Sequence, residues 1–349
     1  MRADPVVRVL VPHAIGARAP ALGGHVHVLE GRTMGTTWSV RLVGPAVLKH
    51  APVMLAIQRE LDEVVAQMSP WERESDITRF NRASAGSWQV LPPAFFEVLQ
   101  YALQVARDSA GAYDPTAGAL VGAWGFGPEG RYDEAGFEPP SACAIAAARA
   151  VGGWQRLEID APNRRVLQPG GLHIDLSAVA KGYAVDRVAA MLAARFGFDD
   201  TLVEVGGELR GHGLKPDGQP WWVALESAPR WCGAELIADA GLPLTRIALH
   251  GLSVATSGDY RRFFRRGDVR YAHTIDPRDG LPIAHGVALV TVLHERCMAA
   301  DALSTALTVL GPTAGMAWAE ERGIAAMFVA RGPDGSLEAH ESRAFAALA

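Results

Sequence analysis

Val287-Ala288-Leu289-Val290-Thr291-Val292-Leu293 is followed by Ala300-Asp301-Ala302-Leu303-Ser304-Thr305-Ala306 and then by an apolar run over 325–330. The first reads as a strand, the second as a helix and the third as a strand. Working outward, strands are expected over 201–205, 221–225 and 246–249, behind a helix over 178–195 that ends near Gly197. Two short strands over 157–174 flank a Gly170-Gly171 turn. A strand over 37–43 precedes a helix over 53–68 with Leu55, Leu61, Val64 and Val65 on one face, and a second helix over 95–110 is closed by Gly111. Strand pairs joined by hairpins, with helices grouped between them, predict an α+β chain built on antiparallel sheet. No glycine-rich dinucleotide fingerprint follows a strand, which excludes a Rossmann reading. The stretch 115–139, dense in Gly, Trp and Phe, reads as a long irregular segment, and residues 1–28 as a loosely ordered leader before one domain over 29–349.

At 349 residues, 49% hydrophobic and 20% charged, the chain has the composition of a globular protein with a sizeable core. A net charge of −5 without any Lys/Arg block argues against nucleic acid or an acidic membrane as partner. Three scattered cysteines, Cys143, Cys232 and Cys297, offer neither a metal site nor a disulfide framework. No apolar run reaches the ~18 residues of a membrane span. No signal-peptide stretch or lipid-attachment Cys stands at the start, so a cytoplasmic location is expected as written, and a periplasmic one if an export signal precedes Met1.

Asp301 and Thr305 lie four apart, so one helix face presents two hard oxygens, a pattern suited to Mg²⁺. The plain alternative is Asp301 as a helix cap and Thr305 bonded back to a carbonyl. Other short stretches recur with the same ambiguity. Thr33-Met34-Gly35-Thr36 is a turn; in Ser69 to Ile77, Ser75 or Asp76 caps a helix and Trp71 is a flat plate for stacking or for the core. Asp114 in Gly111-Ala112-Tyr113-Asp114-Pro115-Thr116 is held extended by the proline. Asp175-Leu176-Ser177-Ala178-Val179-Ala180-Lys181-Gly182-Tyr183 opens a helix with a lysine near its positive end. Val205-Gly206-Gly207-Glu208 leaves two amides for a ligand. His273, between an Arg/Phe-rich helix and the hairpin turn Ile275-Asp276-Pro277-Arg278-Asp279-Gly280, is a base or merely an exposed imidazole.

Taken in order, these pieces and Thr256-Ser257-Gly258-Asp259-Tyr260 resemble the FAD:protein FMN transferase (ApbE) family from about Gly31 to Gly311. The resemblance implies duplicated T-fold-like units with antiparallel sheets and helices packed on one side. It implies transfer of FMN from FAD, a substrate, to a Thr or Ser hydroxyl of an acceptor protein, with Mg²⁺ as cofactor, a phosphoester product and AMP released. Mg²⁺ would be held by Asp301, Thr305 and the carbonyl of Ala178. FAD would touch Met34, Trp71, Ala112, Tyr113, Asp114, Asp175, Lys181 and Ile275. For the chemistry, Lys181 adds a positive charge, His273 is the candidate base and Asp276 its orienting carboxylate. A Mg²⁺-dependent FAD pyrophosphatase giving FMN and AMP, and a non-catalytic flavin-binding protein, are the alternatives.

Overall fold

The computed structural model describes residues 7–12, 23–228, 230–232, 235–237, 242, 244–332 and 336–348. The chain divides into two compact units, Met1–Leu61, Lys181–Tyr260 and Gly286–Ala349 in the first, Asp62–Ala180 and Arg261–His285 in the second.

The first unit is built on one eight-stranded sheet in the order His25–Thr33, Thr36–Gly44, Thr201–Val205, Glu208–His212, Leu252–Gly258, Val287–His294, Ala325–Arg331, Leu337–Glu341. Every neighbouring pair is antiparallel. The α+β class expected from the sequence is therefore the observed one. The sheet repeats one connectivity twice: two strands, helical material, two strands. In the first half the helices are His50–Met68 and Ala180–Phe196; in the second they are the two parts of Cys297–Arg322. That second helix is broken at Gly311, whose φ of 78° and ψ of 179° leave helical space. Pro312 lacks an amide and pushes the residue before it out of helical ψ, and glycine is the residue that takes the positive φ. The repetition thus lies inside a single sheet; the two compact units themselves are unlike one another.

Period-two alternation, shifted by one residue at an irregularity between Val287 and Leu289, gives the strand Val287–His294 two apolar faces. Val287, Val290 and Val292 pack with Ala300, Leu307, Ala319 and Phe328 on the side of the long helix. Leu289 and Leu293 join Leu10, Trp221, Ile247, Leu249, Val329 and Phe345 on the opposite side. There a three-stranded sheet, Val7–Leu10, Leu244–Leu249 and Trp221–Ala224, lies over them. Full burial of each Leu or Ile contributes about 1.5–3 kcal/mol.

The second unit holds a three-stranded sheet (Ser87–Val90, Arg165–Gln168, Ile159–Asp160), two hairpins and the helices Asp76–Asn81, Pro93–Asp108, Gly118–Ala123 and Ala142–Val151. An aromatic cluster of Trp124, Phe126, Phe264 and Ile275, with Tyr132, Phe137 and Tyr271 against it, forms a core there.

Four local expectations are corrected. Within the leader stretch, Val7–Leu10 is a strand paired in parallel with Leu244–Leu249, and Leu10 is wholly buried; residues 1–6 and 13–22 lie outside the described residues. The turn between the short strands Ile159–Asp160 and Arg165–Gln168 is at 161–164, where Arg164 takes a positive φ, and Gly170-Gly171 falls after the pair. The Arg/Phe-rich stretch forms a strand, Phe263–Arg266, paired with Val269–Ala272. Stacking of Phe264 on Tyr271 at 4.9 Å between centroids favours the hairpin over a helix. The irregular segment 115–139 contains the helix Gly118–Ala123.

Candidate active site

In the first unit the helices Ala180–Phe196 and Cys297–Arg322 meet without an intervening side chain. A Cβ on Gly182 would stand 2.3 Å from the carbonyl oxygen of Cys297 and 2.8 Å from Cβ of Asp301, so only glycine permits the approach. The Gly182 amide, in the first turn and so without a partner in its own helix, donates to Oδ2 of Asp301 at 2.9 Å. Asp301 is only 3% exposed and is the fifth residue of its helix, not its cap, so the plain capping alternative fails. Gly182→Ala is expected to cost about 1–3 kcal/mol or more of stability through overpacking against backbone, read as a lower urea midpoint. An unchanged midpoint would mean that the helices part easily.

Lys181 forms an ion pair with Glu208, which is 3% exposed. Burial opposes the Lys181 ammonium, but the carboxylates of Asp301 and Glu208 outweigh it and hold the lysine above its ordinary value. Burial pushes Glu208 up, against the pull of Lys181 and with help from Asp301. Burial likewise raises Asp301, opposed by Lys181 and the Gly182 amide. Two buried carboxylates thus lie near one ammonium, and Oε2 of Glu208 has no hydrogen-bond partner among the described residues. Thr305 lies one turn beyond Asp301; its Oγ1 is 3.0 Å from Oγ of Ser257, which also meets Oγ of Ser304 at 2.8 Å. It is Ser304 and Thr308 that bond back to helix carbonyls.

This arrangement fits a hard divalent cation. A buried carboxylate whose ionisation is disfavoured and an unpartnered carboxylate oxygen both gain from added positive charge, and hydroxyl and carboxylate oxygens suit Mg²⁺. Among the described residues no group of three or more His, Cys, Asp and Glu is placed to hold a metal.

Met34 and Gly35 are also in this unit, both with positive φ (48° and 70°), in the two-residue turn between paired Thr33 and Thr36. Such a turn takes Asn or Gly with ease, and a methionine there is strained. The Gly206-Gly207 amides, expected to face a ligand, are consumed internally: Gly206 donates to the Thr37 carbonyl at 3.0 Å and Gly207 to Oε1 of Glu204 at 2.9 Å.

The second unit carries the remaining predicted residues. Trp71 is 44% exposed, and the Arg131 guanidinium lies over its ring, 5.7 Å from the centroid. Ala112 and Tyr113 are buried, and the Tyr113 amide donates to Oγ of Ser109 at 3.1 Å. Asp114 is occupied: Oδ1 accepts from the amide and hydroxyl of Thr116 at 2.8 and 2.7 Å, and Oδ2 from the Trp154 amide at 3.2 Å. Burial raises its carboxyl, with those bonds pulling it back. Its carboxylate therefore braces the loop. Asp175 accepts from the Ser177 amide at 2.7 Å, and its own amide is tied to the Pro115 carbonyl at 2.8 Å. Ala178 follows in the turn that leads into the helix beginning at Ala180. Ile275 is 7% exposed within the aromatic cluster.

His273 is anchored differently from expectation. Its Nδ1 stands 3.1 Å from the Arg262 carbonyl oxygen, which only accepts, so Nδ1 carries the proton and Nε2 is the basic nitrogen. Phe126 packs edge-on against the ring at 6.2 Å. Asp276, expected to orient it, is engaged by Arg278. Its carboxylate takes the Arg278 guanidinium at 2.8 and 2.7 Å and the Arg278 amide at 2.9 Å. Two residues apart across a turn, Asp276 and Arg278 satisfy each other locally. The sequence reading quoted Glu208 and Ser257 within motif stretches without making either a site residue, and passed over Asp186 and Arg210 altogether.

A sequence model described as the ApbE family matches residues 34–328. Among curated proteins, the chain is 37% identical over 326 residues to an FAD:protein FMN transferase of Vibrio cholerae serotype O1, covering 93% of this chain and 92% of that one. To the FAD:protein FMN transferase of Escherichia coli K12 it is 33% identical, covering 88% and 85%. Among solved structures, the apo form of the Pseudomonas stutzeri flavinyl transferase ApbE superposes with a TM-score of 0.83 at 40% identity, over 93% of this chain and 97% of that one. With the strained Met34 turn, the Gly182–Asp301 contact and His273 all inside the matched span, and relatives alike over nearly their full length, the chain belongs to the ApbE family.

Proposed function

We propose that this protein transfers FMN from FAD to the hydroxyl of a Thr or Ser in an acceptor protein, in a Mg²⁺-dependent reaction that forms a phosphoester and releases AMP. The observation that carries the reading is buried Asp301 and half-buried Thr305 one turn apart on one helix, with Lys181 in electrostatic reach of Asp301. The names of the relatives support the flavin chemistry. In this reading Asp301, Thr305 and the carbonyl of Ala178 hold the cation. When bound, Mg²⁺ neutralises phosphoryl charge and eases departure of AMP.

The chain's own residues do the rest. Lys181, kept protonated by its carboxylate neighbours, supplies a fixed positive charge toward the pyrophosphate. Trp71, 44% exposed, serves as the plate on which a flat ring stacks, and the Met34 turn brings backbone toward the flavin nucleotide. A hydroxyl oxygen attacks the FMN phosphorus, the bond to the AMP oxygen breaks, and Nε2 of His273 takes the hydroxyl proton. Incubation with FAD and Mg²⁺, with acceptor proteins carrying the target Thr or a Val in its place, tests the reading: flavin should become covalently attached to the Thr form alone.

A further inference from the structure

The helix that carries Asp301 and Thr305 has no cap of its own. Its Ncap residue, Arg296, is extended (φ −107°, ψ 129°) and its side chain makes no capping bond. The amides of Cys297 and Met298 are instead met by a carboxylate from the other helix: each donates at 3.0 Å to Asp186, the first to Oδ1 and the second to Oδ2. Arg210, on the strand Glu208–His212, pairs with the same carboxylate. A negative group at this end also complements the helix dipole.

The placement has a second half. Gly182 precedes Asp186 by four residues, and Asp301 follows Cys297 by four, so the two helices are joined by two antiparallel rungs one turn apart. One rung, Gly182 to Asp301, holds the carboxylate itself. The other, Asp186 to Cys297 and Met298, fixes the turn from which Asp301 projects. A cap serving only helix stability needs no more than a Ser or Asp at position 296. Here the cap comes from the helix that also bears Lys181, so one element sets the lysine and the carboxylate together.

We infer that Asp186, held by Arg210, is a positioning residue for cation binding: it fixes the register of the Asp301–Thr305 helix face against Gly182. The inference rests on the reading of Asp301 and Thr305 as cation ligands. Residues that orient metal ligands in this way typically govern affinity by 10–100-fold.

The test uses the full-length protein with FAD present and Mn²⁺ as the probe, titrated by the electron paramagnetic resonance of the unbound ion. Asp186→Asn keeps the size but sets an NH₂ against one of the two amides and removes the charge that pairs with Arg210. Its Mn²⁺ dissociation constant is expected to rise about 10–100-fold. The Mg²⁺ concentration for half-maximal AMP release should rise by the same factor, with the maximal rate recovered at saturating Mg²⁺. A cap of purely structural role would lower the unfolding midpoint and leave both titrations unmoved, which overturns the inference; so does a wild-type protein with no Mn²⁺ site. Should Asp186→Asn fail to fold, Arg210→Gln, which leaves both amide bonds in place, is expected to weaken Mn²⁺ binding in the same direction, and unchanged affinity there overturns it equally. Failure of the transferase reading shows separately, as Mn²⁺ bound by the wild type with no acceptor labelled.

Discussion

Asp301→Ala is expected to lower Mg²⁺-dependent turnover by roughly 10³-fold or more while the fold persists. A cation at a phosphoryl group supplies several kcal/mol of charge stabilisation, and each 1.36 kcal/mol is tenfold in rate. The effect on stability is small because two contributions oppose. Losing the acceptor strands the Gly182 amide, at a cost of about 1–3 kcal/mol, but a buried carboxylate that is held above its ordinary ionisation is removed with it. The measurement is AMP release across a Mg²⁺ titration, alongside thermal unfolding. Turnover equal to wild type at limiting Mg²⁺ would remove Asp301 from the cation site.

His273→Asn is expected to lower the maximal rate by about 10²- to 10⁴-fold, the usual worth of a positioned base, with FAD affinity nearly unchanged. The contact to the Arg262 carbonyl is retained if the Asn amide takes the place of Nδ1, so what is lost is the basic nitrogen. Single-turnover transfer against flavin-fluorescence titration separates the two quantities. A loss confined to FAD binding would make His273 a ligand contact.

Strands with clean apolar alternation were legible before the structure: 201–205 matches Thr201–Val205, and 287–293 matches Val287–His294 within one residue. Glu208–His212 and Leu252–Gly258 were not, since Arg, His, Ser and Thr interrupt their apolar pattern while neighbouring strands on both sides hold them in the sheet. Ala142–Val151 (ACAIAAARAV) is apolar at every position but Arg149, so no stripe stands out against a polar face. The Asp301/Thr305 face was visible because its spacing is local. Its partners were not: Lys181 and Glu208 are 27 residues apart, Gly182 and Asp301 are 119 apart, and only the fold brings them together. Asp276 illustrates the reverse error. A carboxylate three residues from an imidazole invites a dyad, yet the arginine two residues further on in the same turn captures it at less conformational cost.

The most direct measurement of the central claim is a balance of products: the purified protein is incubated with FAD, Mg²⁺ and an acceptor protein, and AMP, unattached FMN and acceptor mass are followed together. Transfer is expected to add the mass of one FMN group, not FAD, to the acceptor, at its Thr or Ser, with AMP appearing in equal amount. Accumulation of AMP and unattached FMN while an intact acceptor stays unmodified would contradict it and leave a pyrophosphatase in its place.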